Sequence, residues 1–185
     1  MQKKALYIRT SKTGSSTITE WCKPYQIPYT NNVRFLSFEE NVTLFDCHFK
    51  NDDFIFTSIR NPYERAISCW QQAIISDWVE RECTFEKFLD LDFKTLEKEH
   101  AQTHLIPLTE YLEPVLDKIQ FIIRLENLEN CLKKLSDTLE IKYHTPGHVY
   151  SGGYDKKSFS NKYLNPLNKK KIEEKYKTDF EYFGY

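Results

Sequence analysis

The residues best equipped for chemistry stand close together: Lys12-Thr13-Gly14-Ser15-Ser16-Thr17. Ala5 to Ile8 before them is a short apolar run that reads as a buried strand. Ile18, Trp21 and Cys22 after them recur at helical spacing. The segment is therefore strand, tight loop, helix. A helix start offers unbonded backbone N–H groups and the positive end of the macrodipole. Gly14 lets the backbone approach a ligand, Lys12 adds a full positive charge, and Ser15, Ser16 and Thr17 add donors. Together they form a cradle for phosphate or sulfate. A plainer reading stands beside it, because Ser and Thr before a helix are often only caps and Lys-x-Gly is common. The Walker arrangement is not present, since here the lysine precedes the glycine and no earlier glycine occurs. That argues against an ordinary ATPase or GTPase.

A second unit of the same kind follows. Phe54-Ile-Phe-Thr-Ser-Ile59 reads as a strand deep in a parallel sheet. It runs into Arg60-Asn61-Pro62, where Asn61 suits a helix cap and Pro62 the first helical position. The helix is predicted over 63–79, with Ala66, Ile67, Trp70, Ala73 and Ile74 as its buried stripe. Arg60 stands where open α/β sheets bind ligands, outside the carboxyl end of a strand, and Ser68 lies eight residues on.

Three further groups are candidates. His48 shares one face of a predicted strand, 43–49, with Asp46. That pair is either a partly exposed polar face or a general base with a carboxylate to orient it. His100 and His104 have a spacing that can bring two imidazoles together, but no third ligand is near, so solvated histidines are expected and no metal site is. Gly152, Gly153, Lys156, Lys157 and Ser158 make either a loop that closes over an anion or a flexible surface loop.

The elements that must position these groups fit one domain spanning 1–185. The expected fold is α/β: a three-layer, P-loop-like arrangement with a central, mostly parallel sheet flanked by helices on both faces. Its strands are predicted near 4–9, 33–38, 43–49, 54–59 and 119–125, and 23–32 reads as a connector. Residues 126–139 read as an amphipathic helix, 119–125 as a further buried strand, and 179–185 as an aromatic tail that docks on the body. With 40% hydrophobic and 15% aromatic residues the chain is globular. A net charge of −1 provides no general field for nucleic acid, so any anion site is local. Five cysteines without C-x-x-C spacing read as reduced core thiols, which suits a cytoplasmic protein, and neither a signal peptide nor a membrane span is expected.

Taken as a pair, the two basic units resemble the sulfotransferases. Lys12-Thr-Gly-Ser-Ser-Thr17 resembles the 5′-phosphosulfate loop of that family. Ile59-Arg60-Asn-Pro-Tyr-Glu-Arg65-Ala-Ile-Ser68 resembles its 3′-phosphate motif. Phe121-Ile-Ile-Arg-Leu-Glu126-Asn-Leu and Tyr176-Lys-Thr-Asp179-Phe-Glu-Tyr-Phe-Gly184-Tyr are similar to later landmarks of the carbohydrate branch. The resemblance implies a donor, 3′-phosphoadenosine 5′-phosphosulfate, and a product, 3′-phosphoadenosine 5′-phosphate. It implies in-line transfer to a carbohydrate or other hydroxyl-bearing acceptor, without a metal. By the same resemblance, Lys12 and the helix start stabilise charge on the leaving oxygen, Thr13 to Thr17 hold the 5′-phosphosulfate, and Arg60 and Ser68 hold the 3′-phosphate. His48 occupies the region where related enzymes keep their base, and Lys156 and Lys157 would belong to a lid. A nucleotide kinase and a non-catalytic nucleotide-binding module are the competing readings.

Overall fold

Phe54–Ile59 is buried at every position, and the sheet is assembled around it in the computed structural model, which describes residues 4–30, 53–147 and 162–185. Four strands lie in the order β2-β1-β3-β4: β1 Ala5–Ile8, β2 Tyr29–Thr30, β3 Phe54–Ile59 and β4 Phe121–Arg124. All three pairings are parallel, with Ala5 opposite Phe54, Tyr7 opposite Tyr29 and Phe56 opposite Phe121. Both faces of β1 and β3 are buried, which is why these strands are apolar runs rather than alternating ones. The expected strands 33–38 and 43–49 fall outside the described residues.

The chain divides into two compact units, each made of two stretches. The first comprises 1–59 and 111–150 and holds all four described strands. Helix α1, Ser15–Cys22, supplies Ile18, Trp21 and Cys22 to its core, as the helical spacing foretold. Ala5, Tyr7, Phe54, Phe56 and Ile123 from the sheet join them, together with Leu132, Leu135 and Leu139. Burial pushes the Cys22 thiol up to about 12, so it stays a neutral packing group.

The second unit comprises 60–110 and 151–185. In it α2 is Pro62–Ile75, α3 Phe85–Asp90, α4 Glu99–Leu105, α7 Pro166–Lys175 and α8 Lys177–Phe183. Between α4 and α7 in the chain come α5, Leu108–Leu112, and α6, Leu128–Leu139. The capping reading of α2 is right: Asn61 accepts from the Tyr63 N–H at 3.0 Å and Pro62 opens the helix. Thr84 caps α3 in the same way.

Four elements differ from the sequence reading. Helix α2 stops at Ile75, short of 79, because Asp77 is left-handed (φ 51°) and the Trp78 N–H turns back to the Ala73 carbonyl at 2.8 Å. A strand, β2, occurs within the expected connector; two residues are too few for a periodic signal, and β1 supplies their pairing. The strand foreseen at 119–125 is the shorter β4, and it is half-buried except at Ile123. The aromatic tail is helical, α8, separated from α7 by a break at Tyr176. Among the described residues no helix is long and apolar enough to cross a membrane.

Helix α6 ends as α2 does, with Glu140 left-handed (φ 55°) and the Ile141 N–H bonded to the Ser136 carbonyl. Glutamate is disfavoured there by its Cβ and by its charge at the negative end of the helix. Glu140→Gly is expected to raise stability by about 0.5–1 kcal/mol, after allowing for the entropy of glycine in the unfolded chain. Urea denaturation would show it as a higher midpoint with an unchanged slope.

Candidate active site

The loop from Arg9 to Gly14 leaves the carboxyl end of β1 and turns into α1 with no acidic residue in the first turn. The cap position is Gly14, which brings no side chain to the helix start. The first intrahelical bond runs from the Ile18 N–H to the Gly14 carbonyl at 3.2 Å, so the N–H groups of Ser15, Ser16 and Thr17 precede the helical ladder. Ser16 is exposed, and Ser15 and Thr17 are half-buried. Lys12 and Gly14 are both left-handed, with φ of 65° and 77°, and Thr13 between them is not. Alternating signs of φ turn successive N–H groups toward one side, the geometry of an anion-binding nest. A left-handed lysine costs about 1–2 kcal/mol relative to a helical one, the kind of strain that persists where surrounding contacts enforce it.

Those contacts are buried hydroxyls. Tyr7, Thr10, Thr13 and Ser58 are each at most 1% exposed. Strand alternation puts Ser58 on the same face of β3 as Phe56, whose ring stacks on Tyr7 at 5.2 Å. The Tyr7 hydroxyl lies 2.6 Å from Ser58 Oγ, and Ser58 Oγ lies 2.7 Å from Thr13 Oγ1. Thr13 Oγ1 lies 2.8 Å from Thr10 Oγ1, and Thr10 donates to the Ser58 carbonyl at 2.5 Å. Four hydroxyl protons serve this chain once each: Tyr7 to Ser58, Ser58 to Thr13, Thr13 to Thr10, Thr10 to the carbonyl. Burial pushes the Tyr7 phenol far above its ordinary pKa, so it stays a donor. The Thr13 hydroxyl thus faces the core, and its side chain shapes the loop.

Gly14 is fixed from another side. A Cβ there would stand 2.5 Å from Leu125 Cδ1, in addition to the cost of φ 77°. Leu125 follows β4 directly, so the landmark Phe121–Leu128 packs its leucine against the loop glycine.

In the second unit, Arg60 precedes the cap of α2 and is half-buried. Its guanidinium meets the Glu64 carboxylate at 3.2 Å. Ser68, half-buried, continues the same row one helical turn beyond Glu64. The next residue of the motif, Arg65, is fully buried. It donates to the Ile106 carbonyl at 2.8 Å and the His104 carbonyl at 3.2 Å, lies over the Tyr176 ring, and stands 3.8 Å from Asp179. Asp179 accepts from the N–H groups of Leu108 and Thr109 and from the Thr109 hydroxyl, each at 2.8 Å. The closing motif of the chain therefore anchors the helix that follows Arg60.

The remaining sequence candidates divide. His48, Asp46, Lys156 and Lys157 lie outside the described residues. His104, expected to be solvated, is half-buried with its ring edge-on to Trp78 at 5.1 Å. Reading the sequence missed Tyr7, Thr10, Ser58 and Leu125 as shapers of the loop, and Glu64 as the partner of Arg60. The hydroxyls of Thr57 and Ser58 at the end of an apolar strand were the local signal for the network.

The sequence matches the Sulfotransferase family over residues 2–185. No curated protein matches it. The fold is similar to the crystal structure of a sulfotransferase from Alicyclobacillus acidocaldarius, with a TM-score of 0.55 and 10% identity over 94% of this chain and 95% of that one. At that identity the likeness shows the fold alone.

Proposed function

The chain belongs to the sulfotransferase family, and from that premise we propose that it moves a sulfuryl group from 3′-phosphoadenosine 5′-phosphosulfate to a hydroxyl of a carbohydrate or glycoside. The observation that carries the donor assignment is the start of α1: a glycine cap, no acid in the first turn, and a left-handed lysine beside it. An anionic phosphosulfate fits such a place, because N–H dipoles and one cation offset its charge without a metal.

In this reading the donor supplies an activated sulfuryl group. As the acceptor oxygen forms its bond to sulfur, the bond from sulfur to the bridging oxygen breaks and negative charge collects on that oxygen. Lys12 and the N–H groups of Ser15, Ser16 and Thr17 stabilise it. Arg60, drawn from Glu64 to the ligand, and Ser68 take the 3′-phosphate. His48 accepts the acceptor proton, with Asp46 orienting it. Lys156 and Lys157 are assigned to the donor as well. We assign residues 1–185 to one catalytic domain. A cytoplasmic setting is part of the proposal, on the reading of the five cysteines as reduced thiols.

Calorimetric binding of 3′-phosphoadenosine 5′-phosphate beside ADP and 5′-AMP tests the donor class. The wild type is expected to prefer the 3′-phosphorylated nucleotide by roughly 10²-fold, and Arg60→Ala to lose most of that preference, as for a charge-assisted bidentate contact. Equal or better binding of ADP would sink the donor assignment and favour a kinase-like nucleotide site. Absence of any nucleotide binding would sink the donor assignment as well.

A further inference from the structure

We propose that Ser58 and Tyr7, neither of which is placed to touch a ligand, are positioning residues: their hydroxyl chain holds Thr13, and through it the nest of Lys12 and Gly14, in the conformation that receives a 5′-phosphate. The inference rests on the donor reading for its ligand but on the buried network for its mechanism. Ser58 is the hub of that network. Its Oγ meets Tyr7, Thr13 and Thr10 at 2.6, 2.7 and 3.2 Å, and its carbonyl accepts from Thr10 at 2.5 Å. Thr13 is the only member flanked on both sides by left-handed residues.

The physical need is clear from the strain. A loop with left-handed residues at 12 and 14 relaxes toward commoner conformations unless something holds the residue between them. Its side chain is gripped by hydroxyls on a different segment, the central strand β3, which is buried at every position. Hydrogen bonds in such a buried chain reinforce one another, and losing the hub leaves several partners unsatisfied at once. Preorganised N–H groups bind an anion better than groups that must first be ordered. Strand register explains the choice of residues. Tyr7 pairs with Phe56, and Ser58 is the next residue on that face, beside the point where the chain leaves β1.

The test uses the full chain with Ser58→Ala and with Tyr7→Phe; each removes only a hydroxyl, and the second is milder because it takes one end of the hydroxyl chain rather than its hub. Two ligands are compared, 3′-phosphoadenosine 5′-phosphate and adenosine 3′-monophosphate, which lacks the 5′-phosphate. Ser58→Ala is expected to weaken the bisphosphate roughly tenfold or more and Tyr7→Phe by a few-fold. Binding of the 3′-monophosphate should be unchanged in both. General destabilisation would weaken both ligands alike, so equal losses overturn the proposal, as does wild-type affinity for the bisphosphate in both variants. Amide hydrogen exchange of residues 10–17 without ligand decides the mechanism separately. Protection in the wild type that falls in the variants supports it, and unchanged exchange overturns it. If the wild type shows no preference for the bisphosphate, the donor reading fails, and the exchange result alone decides the positioning role.

Discussion

Lys12→Ala is expected to lower donor turnover by about 10²–10³-fold while leaving the fold within about 0.5 kcal/mol of the wild type. The first figure follows from where charge develops. In the ground state the bridging oxygen shares its charge with sulfur; in the transition state it carries much more. A lysine that follows that change acts on kcat more than on donor affinity. The second figure follows from the structure. Lys12 is only half-buried, and alanine has the same difficulty in a left-handed conformation as lysine, so the loop loses a charge and gains no strain. Release of 3′-phosphoadenosine 5′-phosphate, followed with a panel of sugar and glycoside acceptors, measures the rate. Lys12→Arg is expected to recover only part of it, since a planar guanidinium is not a compact ammonium. Turnover within threefold of the wild type in Lys12→Ala would remove this residue from the chemistry. His48→Ala in the same assay separates the two roles: a fall of about 10²–10⁴-fold with donor affinity intact fits a general base, and near-normal turnover moves the base elsewhere.

What was legible in the sequence was local. Lys12 to Thr17 could be read because a helix start, a glycine and a cation within one loop imply their own chemistry. Asn61 and Pro62 could be read because caps act over two or three residues. Ser58 could not be assigned, because its partners Tyr7, Thr10 and Thr13 meet it only through the parallel register of β1 on β3. The need for glycine at position 14 was half visible: its conformational freedom was inferred, but Leu125, which closes the space above it, lies beyond three described strands and several helices in sequence. Glu64 was passed over because an acid one helical turn from an arginine expected to hold a phosphate looks contrary to that expectation. The structure shows a contact at 3.2 Å between its carboxylate and the guanidinium. The ends of α2 and α6 were misjudged or unremarked for a related reason. Their left-handed residues are Asp77 and Glu140, where the usual stop signal is glycine.

The largest effect on stability is expected from Asp179→Ala, a loss of about 3–5 kcal/mol. The carboxylate, 1% exposed, does two things at once. It accepts three hydrogen bonds at the start of α5, from the Leu108 and Thr109 N–H groups and the Thr109 hydroxyl. It also stands 3.8 Å from the fully buried guanidinium of Arg65. Alanine would strand two N–H groups and leave a buried cation without its counter-charge, and the second penalty dominates because desolvating an uncompensated charge costs more than losing a neutral hydrogen bond. Arg65→Met should cost less, because the carboxylate keeps its three donors and methionine fills part of the space over Tyr176. The double variant is therefore expected to be more stable than the sum of the two single losses predicts, with a coupling of about 1–3 kcal/mol. Urea denaturation of the four proteins measures that cycle. Additive losses would mean that the two side chains act independently. A positive coupling would explain why an arginine in the second motif and an aspartate in the last one occur in the same chain. The pair fixes the helix that begins beside Arg60, and so sets the footing from which Arg60 and Ser68 project.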